Sequence, residues 1–215
     1  MARILAIANQ KGGVGKTTTS VNIAAGLVDA GKRVLLVDLD PQGNATMGSG
    51  IDKRTLGENL YHVILGLATA QGLVVRSETG HYDVLPANRE LAGAEVELVQ
   101  LDRRETRLKE ALGAIERDYD YVLLDCPPAL NLLTVNAFAA AHAVVIPMQC
   151  EYYALEGLSD LVNTVRKIRQ TLNPRLEIEG LLRTMFDPRN TLAQQVSEQL
   201  HRHFGGKVYE TVIPR

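Results

Sequence analysis

Lys11-Gly12-Gly13-Val14-Gly15-Lys16-Thr17-Thr18 is the most informative segment of this 215-residue chain. It stands between an apolar run over residues 4–8 and a helical pattern over 17–30. A glycine-rich loop that leaves a strand, enters a helix and ends in Gly-Lys-Thr is typical of a phosphate-binding loop. Glycine allows positive φ, so successive N–H groups can converge on phosphate oxygens at a helix N-terminus. The segment therefore predicts a nucleotide site over residues 11–18.

Two side chains of this loop have predicted roles in phosphoryl transfer. Lys16 would reach the β- and γ-phosphates of a nucleoside triphosphate and neutralise the charge that develops there. The Thr17 hydroxyl would ligate Mg²⁺. Water is the expected acceptor of the phosphoryl group, because no other motif in the sequence suggests a binding pocket for an organic substrate.

Two later apolar runs end in acids. The run over 33–40 contains Asp38 and Asp40, and the run over 121–125 ends at Asp125. A strand–helix–strand order favours a parallel, right-handed crossover, which places these carboxyl ends beside the phosphate loop. We expect Asp125 to hold Mg²⁺ and Asp40 to position the attacking water. Asp38 has two interpretations: it bonds the loop backbone, or it contacts the nucleophile.

The composition predicts a single domain over residues 1–215, since 46% of the residues are hydrophobic and can form an ample core. The net charge of −2 and pI near 6.2 give no general attraction for polyanions. Nucleic-acid binding would then need a local basic patch, or a dimer that concentrates one. The basic residues over 103–109 interleave with glutamates, which favours a solvated helix face.

Cysteine usage and hydropathy indicate the compartment. Cys126 and Cys150 are the only cysteines and lie beside apolar runs, which favours a reducing cytoplasm. The N-terminus has no signal-peptide pattern, and no apolar stretch approaches the roughly 18 residues of a membrane span. We expect a cytoplasmic protein with no membrane partner. His201 and His203 would point to different sides of a helix, which argues against a shared zinc ion.

The remaining periodicity predicts an α/β protein. We expect a P-loop NTPase-type, three-layer fold whose twisted, mostly parallel sheet is flanked by helices. Residues 41–50 are expected to form a loop, because they are rich in turn formers. The predicted strands are 82–86, 143–147, 179–186 and 207–213, and the predicted helices are 56–66, 101–118, 154–171 and one carrying Leu192, Val196, Leu200 and Phe204 on one face.

The phosphate loop departs from the usual pattern, because Gln10 stands where its first glycine is expected and Lys11 is an additional lysine. With this deviant Walker A form the chain resembles the ParA/MinD group of ATPases. Three segments, 36–44, 125–128 and 184–190, are similar to the ParA/Soj partitioning ATPases in particular. Arg183 is a departure, since an apolar residue is usual there.

The resemblance implies an Mg²⁺-dependent ATPase that is slow without its partner and that binds ATP and ADP. It implies that ATP closes a homodimer in which Lys11 acts on the nucleotide of the second subunit. Such a dimer would bind double-stranded DNA nonspecifically, partly through Arg189, and would localise to the nucleoid. A ParB/Spo0J-type centromere-binding protein would stimulate hydrolysis and release. Pro214 corresponds to the start of the adenine-side loop.

Other interpretations stay open at this point. The family continues beyond the position of Arg215 with a loop and a basic helix, so we expect either a shortened chain or reduced DNA affinity. A MinD-like membrane switch would need an amphipathic helix at that end. A ligase of the dethiobiotin synthetase type would couple ATP to a small molecule. An ATP-gated clamp would use hydrolysis only as a timer.

Cys126 does not match the cluster motif of the nitrogenase iron protein, so both cysteines are interpreted as small apolar residues.

Overall fold

The computed structural model describes residues 1–215 and has one eight-stranded sheet in the order β3-β4-β2-β5-β1-β6-β7-β8. All pairs are parallel except β3 with β4. The strands are β1 (Arg3–Ile7), β2 (Val34–Asp38), β3 (Val75–Arg76), β4 (Asp83–Leu85), β5 (Tyr121–Asp125), β6 (Ala143–Met148), β7 (Glu177–Phe186) and β8 (Val208–Pro214).

Nine α-helices and three short 3₁₀ turns connect these strands. The helices are α1 (Lys16–Asp29), α2 (Asn44–Gly48), α3 (Leu60–Leu65), α4 (Ala70–Leu73), α5 (Leu91–Glu97), α6 (Arg107–Gly113), α7 (Leu132–Ala140), α8 (Ala154–Thr171) and α9 (Thr191–Phe204). The 3₁₀ turns are Leu98–Gln100, Glu116–Asp118 and Gly205–Lys207. None of the helices is both long and apolar enough to cross a lipid bilayer.

The sheet separates two apolar cores, as alternation along its strands requires. In β1, Ile4 and Ala6 belong to a cluster of 41 buried residues, to which α3 to α9 contribute. Leu5 and Ile7 face a cluster of 11 buried residues shared with α1 and α2. Burial on both faces explains why the central strands are continuous apolar runs. The predicted three-layer α/β fold is therefore confirmed.

Three local predictions need correction. The helix predicted over 101–118 is formed only over Arg107–Gly113. The chain turns before it, where Arg103 has a φ of 52°, and Asn136 of α7 holds the turn through Leu108 N (3.1 Å) and Arg104 O (2.7 Å). The helix predicted over 56–66 begins only at Leu60, because the Asn59 side chain caps it.

The third correction concerns 41–50, which contains the helix α2 and is not simply a loop. This segment lacks the apolar periodicity that would predict a helix. Instead, α2 is held by hydrogen bonds from Thr46 to Asp38 at the end of β2. The short elements β3, α4, α5 and α7 were not predicted either.

The β7–β8 edge of the sheet is irregular. Its register shifts between Leu181 and Arg183 and again between Arg183 and Phe186. A Cβ at Gly180 would lie 2.7 Å from the ring of Tyr209, so the ring packs in this position because residue 180 is a glycine.

Arg183 is buried within this irregular edge. Its Nη2 donates to the carbonyl oxygens of Tyr209 (2.8 Å) and Glu210 (3.1 Å), and its Nη1 donates to Ser197 Oγ (2.9 Å). The Nε atom is buried without a hydrogen-bond partner. The guanidinium thus satisfies carbonyls that the broken ladder leaves unpaired, which explains a charged residue at an otherwise apolar position.

Candidate nucleotide-binding site

The loop between β1 and α1 has the backbone geometry that its glycines suggest. Gly13 and Gly15 adopt φ values of 71° and 84°, where a side chain would be strained. Gly15 is the N-cap of α1, and no side chain caps this helix. The first N–H groups of α1 therefore have no side-chain acceptor and point toward the loop, as an anion site requires.

Lys16 is the first residue of α1 and is only 7% exposed. Its Nζ donates to the Lys11 carbonyl oxygen across the loop (3.0 Å). Burial lowers the pKa of Lys16, while the nearby carboxylates of Asp125 and Asp40 oppose that shift. The ammonium is thus held inside the loop, close to the two acids predicted for the site.

Thr17 and Asp125 are brought together at the carboxyl end of β5. Thr17 Oγ1 donates to Asp125 Oδ2 (2.8 Å), and Ser20 Oγ donates to Asp125 Oδ1 (2.7 Å). Burial raises the pKa of Asp125 to about 6, and these two hydrogen bonds counteract the shift. Sequence reasoning missed Ser20, although its i+3 spacing from Thr17 places both hydroxyls on one helix face.

Asp38 lies beside Asp125 in the register of β2 and β5 and is fully buried. Its carboxylate accepts hydrogen bonds from Thr46 N (2.8 Å), Thr46 Oγ1 (2.7 Å) and Asp40 N (3.2 Å). Burial and the neighbouring Asp125 raise the pKa of Asp38 to about 7. Of its two interpretations, the geometry favours the one in which Asp38 bonds the loop backbone.

Asp40 follows β2 and is partly exposed. Its Oδ1 accepts a hydrogen bond from Gln42 N (2.9 Å), which leaves the second carboxylate oxygen available. Its N–H donates to Asp38 Oδ1 (3.2 Å), and Asp38 lies beside Asp125, so Asp40 stands next to the acid-ending strands of the site.

Lys11 extends away from the loop and forms an ion pair with Glu151. Glu151 lies in the turn between β6 and α8, and both side chains are about half exposed. Tyr152 and Tyr153 follow it as an exposed pair in edge-to-face contact at 5.0 Å. Action of Lys11 on a second chain stays a prediction, because its partner here belongs to the same chain.

An open cavity of about 590 Å³ lies beside the loop, between α1 and the β7–β8 edge. Gly15, Thr18, Met185 and Pro214 are among its lining residues. Thr184 joins the cavity to the loop, because its Oγ1 donates to the Val14 carbonyl oxygen (2.8 Å). The cavity is next to the predicted phosphate position, and Pro214 lies on its wall.

Arg189 lies outside this cluster, in the turn between β7 and α9. Its side chain is 89% exposed and forms two hydrogen bonds with Asp187, both of 2.9 Å. These bonds lower the pKa of Asp187 to about 2. Arg189 is therefore accessible, but its charge is partly balanced by its neighbour.

The oxygen atoms of Thr17 and Asp125 fit a magnesium ion. A hydroxyl and a carboxylate are hard oxygen ligands, and Mg²⁺ at nucleotide sites is held by few protein groups together with phosphate and water. No group of three or more His, Cys, Asp or Glu side chains is arranged to hold a metal alone. The arrangement thus suits an ion completed by a bound nucleotide.

Comparison with known proteins places this geometry in a family. A family model described as an AAA domain matches residues 2–178. The sporulation initiation inhibitor protein Soj of Bacillus subtilis is 55% identical over 215 residues, which cover 100% of this chain and 85% of that protein. The chromosome partitioning protein ParA of Caulobacter vibrioides is 53% identical and is covered over 80% of its length by 99% of this chain.

A solved structure shares the fold almost completely. Cobyrinic acid a,c-diamide synthase from Mycobacterium smegmatis, crystallised with ADP and magnesium, superimposes with a TM-score of 0.95 at 43% identity, over 100% of this chain and 87% of that one. The same protein was also crystallised with an ATP analogue and magnesium. Together, the phosphate loop, the two acid-ending strands and these similarities establish that the chain belongs to the AAA domain family and to the ParA/Soj group of chromosome-partitioning ATPases.

Proposed function

We propose that this protein binds Mg-ATP and hydrolyses it to ADP and phosphate as the switch of a chromosome-segregation system. The observation that carries the proposal is that Lys16 lies inside the glycine-rich loop and Thr17 bonds Asp125, while Asp40 N bonds Asp38, whose strand end lies beside Asp125. Chromosomal cargo is favoured over plasmid cargo, because the similar Soj and ParA proteins are described as chromosome-partitioning proteins. The rate without a partner is expected to be slow.

Each residue has a separate role in the proposed reaction. Lys16 leaves the Lys11 carbonyl oxygen and binds the β- and γ-phosphate oxygens as negative charge develops on them. Thr17 and Asp125 would hold the magnesium ion, which would supply positive charge to stabilise the phosphate oxygens. Asp40 orients water for in-line attack. The backbone N–H groups of residues 12–18 bind the phosphates, and the cavity beside Pro214 takes the adenine.

Dimerisation supplies the remaining cation. Lys11 lies at the exposed rim of the loop, where a second copy could receive it in place of Glu151. A cation supplied in trans can contribute on the order of 10³–10⁵ in rate. In this proposal ATP closes the homodimer, and its contacts make hydrolysis competent.

DNA and a ParB-type protein are the proposed partners of that dimer. Nonspecific binding of double-stranded DNA increases with the number of phosphates neutralised, so joining two copies doubles each basic patch. Arg189 is the residue proposed to contact DNA, and its high exposure is compatible with this role. A ParB-type protein would stimulate hydrolysis and return the protein from the nucleoid to the cytoplasm.

Light scattering of wild type and Asp40→Ala with Mg-ATP tests this function, with and without nonspecific duplex DNA. We expect Asp40→Ala to accumulate as an ATP-dependent dimer that binds DNA, because it keeps the phosphate loop and loses only the water-positioning group. Dimerisation without DNA binding would contradict DNA binding by this chain and would favour a shortened chain, or a MinD-like or metabolic role. A shift onto anionic vesicles instead of DNA would favour a MinD-like switch.

A small-molecule synthase is a second candidate, because the M. smegmatis protein with 43% identity is described as a cobyrinic acid diamide synthase. In that case ATP turnover would depend on cobyrinic acid and a donor of amide nitrogen and would be indifferent to DNA. Soj and ParA are more similar over the whole chain, at 55% and 53% identity, which favours partitioning. Measuring turnover with each set of additives separates the two candidates.

A further inference from the structure

A buried hydrogen-bond relay holds the turn from Asp40 to Thr46. The N–H groups at both ends of this turn donate to one carboxylate, Asp40 N to Asp38 Oδ1 (3.2 Å) and Thr46 N to Asp38 Oδ2 (2.8 Å). The Thr46 hydroxyl donates to the same Asp38 oxygen (2.7 Å) and accepts from Ala87 N (3.0 Å). Asp38, Thr46 and Ala87 are fully buried, so these bonds form away from bulk solvent.

The middle of the turn packs against the same point. Gly43 has a φ of 60°, and a Cβ at this residue would lie 2.6 Å from the carbonyl oxygen of Ala87. Ala87 follows β4, which is the parallel neighbour of β2. The turn is thus held at both ends by Asp38, and at its middle and far end by Ala87.

We propose that Thr46 is a positioning residue for ATP hydrolysis. Its hydroxyl links the turn from Asp40 to Thr46 to Asp38 and Ala87 by hydrogen bonds. These bonds determine the position of the Asp40 carboxylate relative to the attacking water. The inference rests on the proposed function, since it requires that Asp40 orients water. Thr46 is buried behind the turn and acts only through Asp40.

The chemistry of a hydroxyl explains why threonine suits this position. A hydroxyl donates and accepts at the same time, and both capacities of Thr46 are used. Without it, Ala87 N would be buried with no acceptor, and Asp38 would lose one donor. The turn would then shift relative to Lys16, while the phosphate loop would keep its shape. The effect therefore falls on the chemical step and not on nucleotide binding.

The test compares Thr46→Val, which has a similar shape but no hydroxyl, with Thr46→Ser, which restores the hydroxyl. Single-turnover hydrolysis of Mg-ATP by excess protein measures the chemical step, and a fluorescent ATP analogue measures affinity. We expect Thr46→Val to be slower by about 10- to 100-fold with affinity within about threefold, since a shift of about 1 Å in a catalytic group has effects of this size. Thr46→Ser should retain the rate within about threefold.

A second measurement distinguishes positioning from general loosening of the fold. In an Asp40→Ala background, Thr46→Val should slow the residual rate by less than about twofold, because residues that act through one group are not additive. Equal losses in both backgrounds would overturn the proposal, and so would a Thr46→Val protein that hydrolyses ATP at the wild-type rate. Wild-type protein that binds Mg-ATP without hydrolysing it would instead contradict the proposed function.

Gly43→Ala tests the same contact if Thr46→Val fails to fold. The added Cβ meets the Ala87 carbonyl oxygen and should push the turn away, so the hydrolysis rate should fall while nucleotide affinity is retained. Gly48→Ala is the matched control in α2, because its Cβ would lie 3.4 Å from Val21 Cγ2 and leave the turn in place. Equal rates for these two variants would also overturn the proposal.

Discussion

The centre and the far edge of the sheet are built in different ways. β1, β5 and β2 pair in unbroken register, so that Ile7, Asp125 and Asp38 end side by side. β7 and β8 lose register twice and bury a guanidinium whose Nε has no partner. At the centre, the buried carboxylate of Asp125 accepts hydrogen bonds from α1, and that of Asp38 accepts hydrogen bonds from α2. The central strands thus form a regular support for the phosphate loop, whereas the β7–β8 edge forms an irregular wall of the cavity beside Pro214.

The largest expected effect is at the centre. Asp125→Asn removes the charge proposed to hold magnesium, and we expect ATP hydrolysis to fall on the order of 100-fold or more. The same substitution removes one of two adjacent buried carboxylates, so the metal-free protein should become more stable. Hydrolysis assays and urea unfolding in EDTA measure the two effects.

Ser20→Ala is the matched control for this prediction. It removes one hydrogen bond to Asp125 and keeps the charge, so hydrolysis should change much less than in Asp125→Asn. If Asp125→Asn retained full activity, the Asp125 carboxylate would not be needed to hold magnesium.

The next effect is a pH dependence of stability from Asp38. Its pKa is about 7 in the folded protein and near 3.8 in the unfolded chain, so the folded state binds more protons between these values. The stability that this group contributes is full below about pH 4 and is lost as the pH rises through about 7. We expect metal-free protein to lose on the order of 2–4 kcal/mol from this group between pH 4 and 8.

Urea unfolding of wild type and Asp38→Asn over that pH range checks this effect. The amide side chain of the variant would keep an oxygen for Thr46 N but cannot ionise, so the curve of the variant should be flatter. Identical curves for the two proteins would show that the buried carboxylate does not oppose folding.

A smaller effect is expected at the far edge. Gly180→Ala forces the ring of Tyr209 away from β7 and should lower the free energy of unfolding by about 1–3 kcal/mol, as overpacking does. Gly157→Ala in α8 is the control, because no atom lies within 4 Å of its Cβ, and it should stabilise the protein by about 0.5–1 kcal/mol. If both variants unfolded alike, the edge would be less tightly packed than the contact between Gly180 and Tyr209 indicates.

The smallest effect lies between the two regions, in the turn after β6. Glu151→Gln releases Lys11 from a half-exposed ion pair worth about 0–1 kcal/mol. The association constant of the ATP-dependent dimer should therefore increase by at most about fivefold. Glu156→Gln in the first turn of α8 is the control, and light scattering at low protein concentration measures both. A weaker dimer in Glu151→Gln would mean that Glu151 assists the interface and does not restrain Lys11.

The central strands and the phosphate loop were predictable from sequence, whereas the side-chain hydrogen bonds that hold the neighbouring turns and helices were not. Buried parallel strands are continuous apolar runs, and the phosphate loop has a specific motif, so both are visible in single segments. The Asn136 bonds that end the turn before α6 and the Asp38 bonds that hold α2 join residues far apart or without periodicity. Such contacts exist only after the strands have been placed side by side.

The same limit applies to the site. Lys16, Thr17 and Asp125 were identified from motif and strand ends, whereas Glu151 became visible only once β1 and β6 were found to be neighbours. Thr46 lies in a segment predicted to be a loop, where no pattern indicates burial. Sequence therefore identified the groups proposed to meet the ligand more readily than the groups that hold them in place.

The central position of β1 also bears on how the chain folds during synthesis. Its partners are residues 121–125 and 143–145, so β1 pairs only after more than a hundred further residues have been synthesised. Closing so long a loop has a large entropic cost and slows folding. We expect nascent chains that end before residue 143 to lack a formed phosphate loop, although they already contain every residue of its motif.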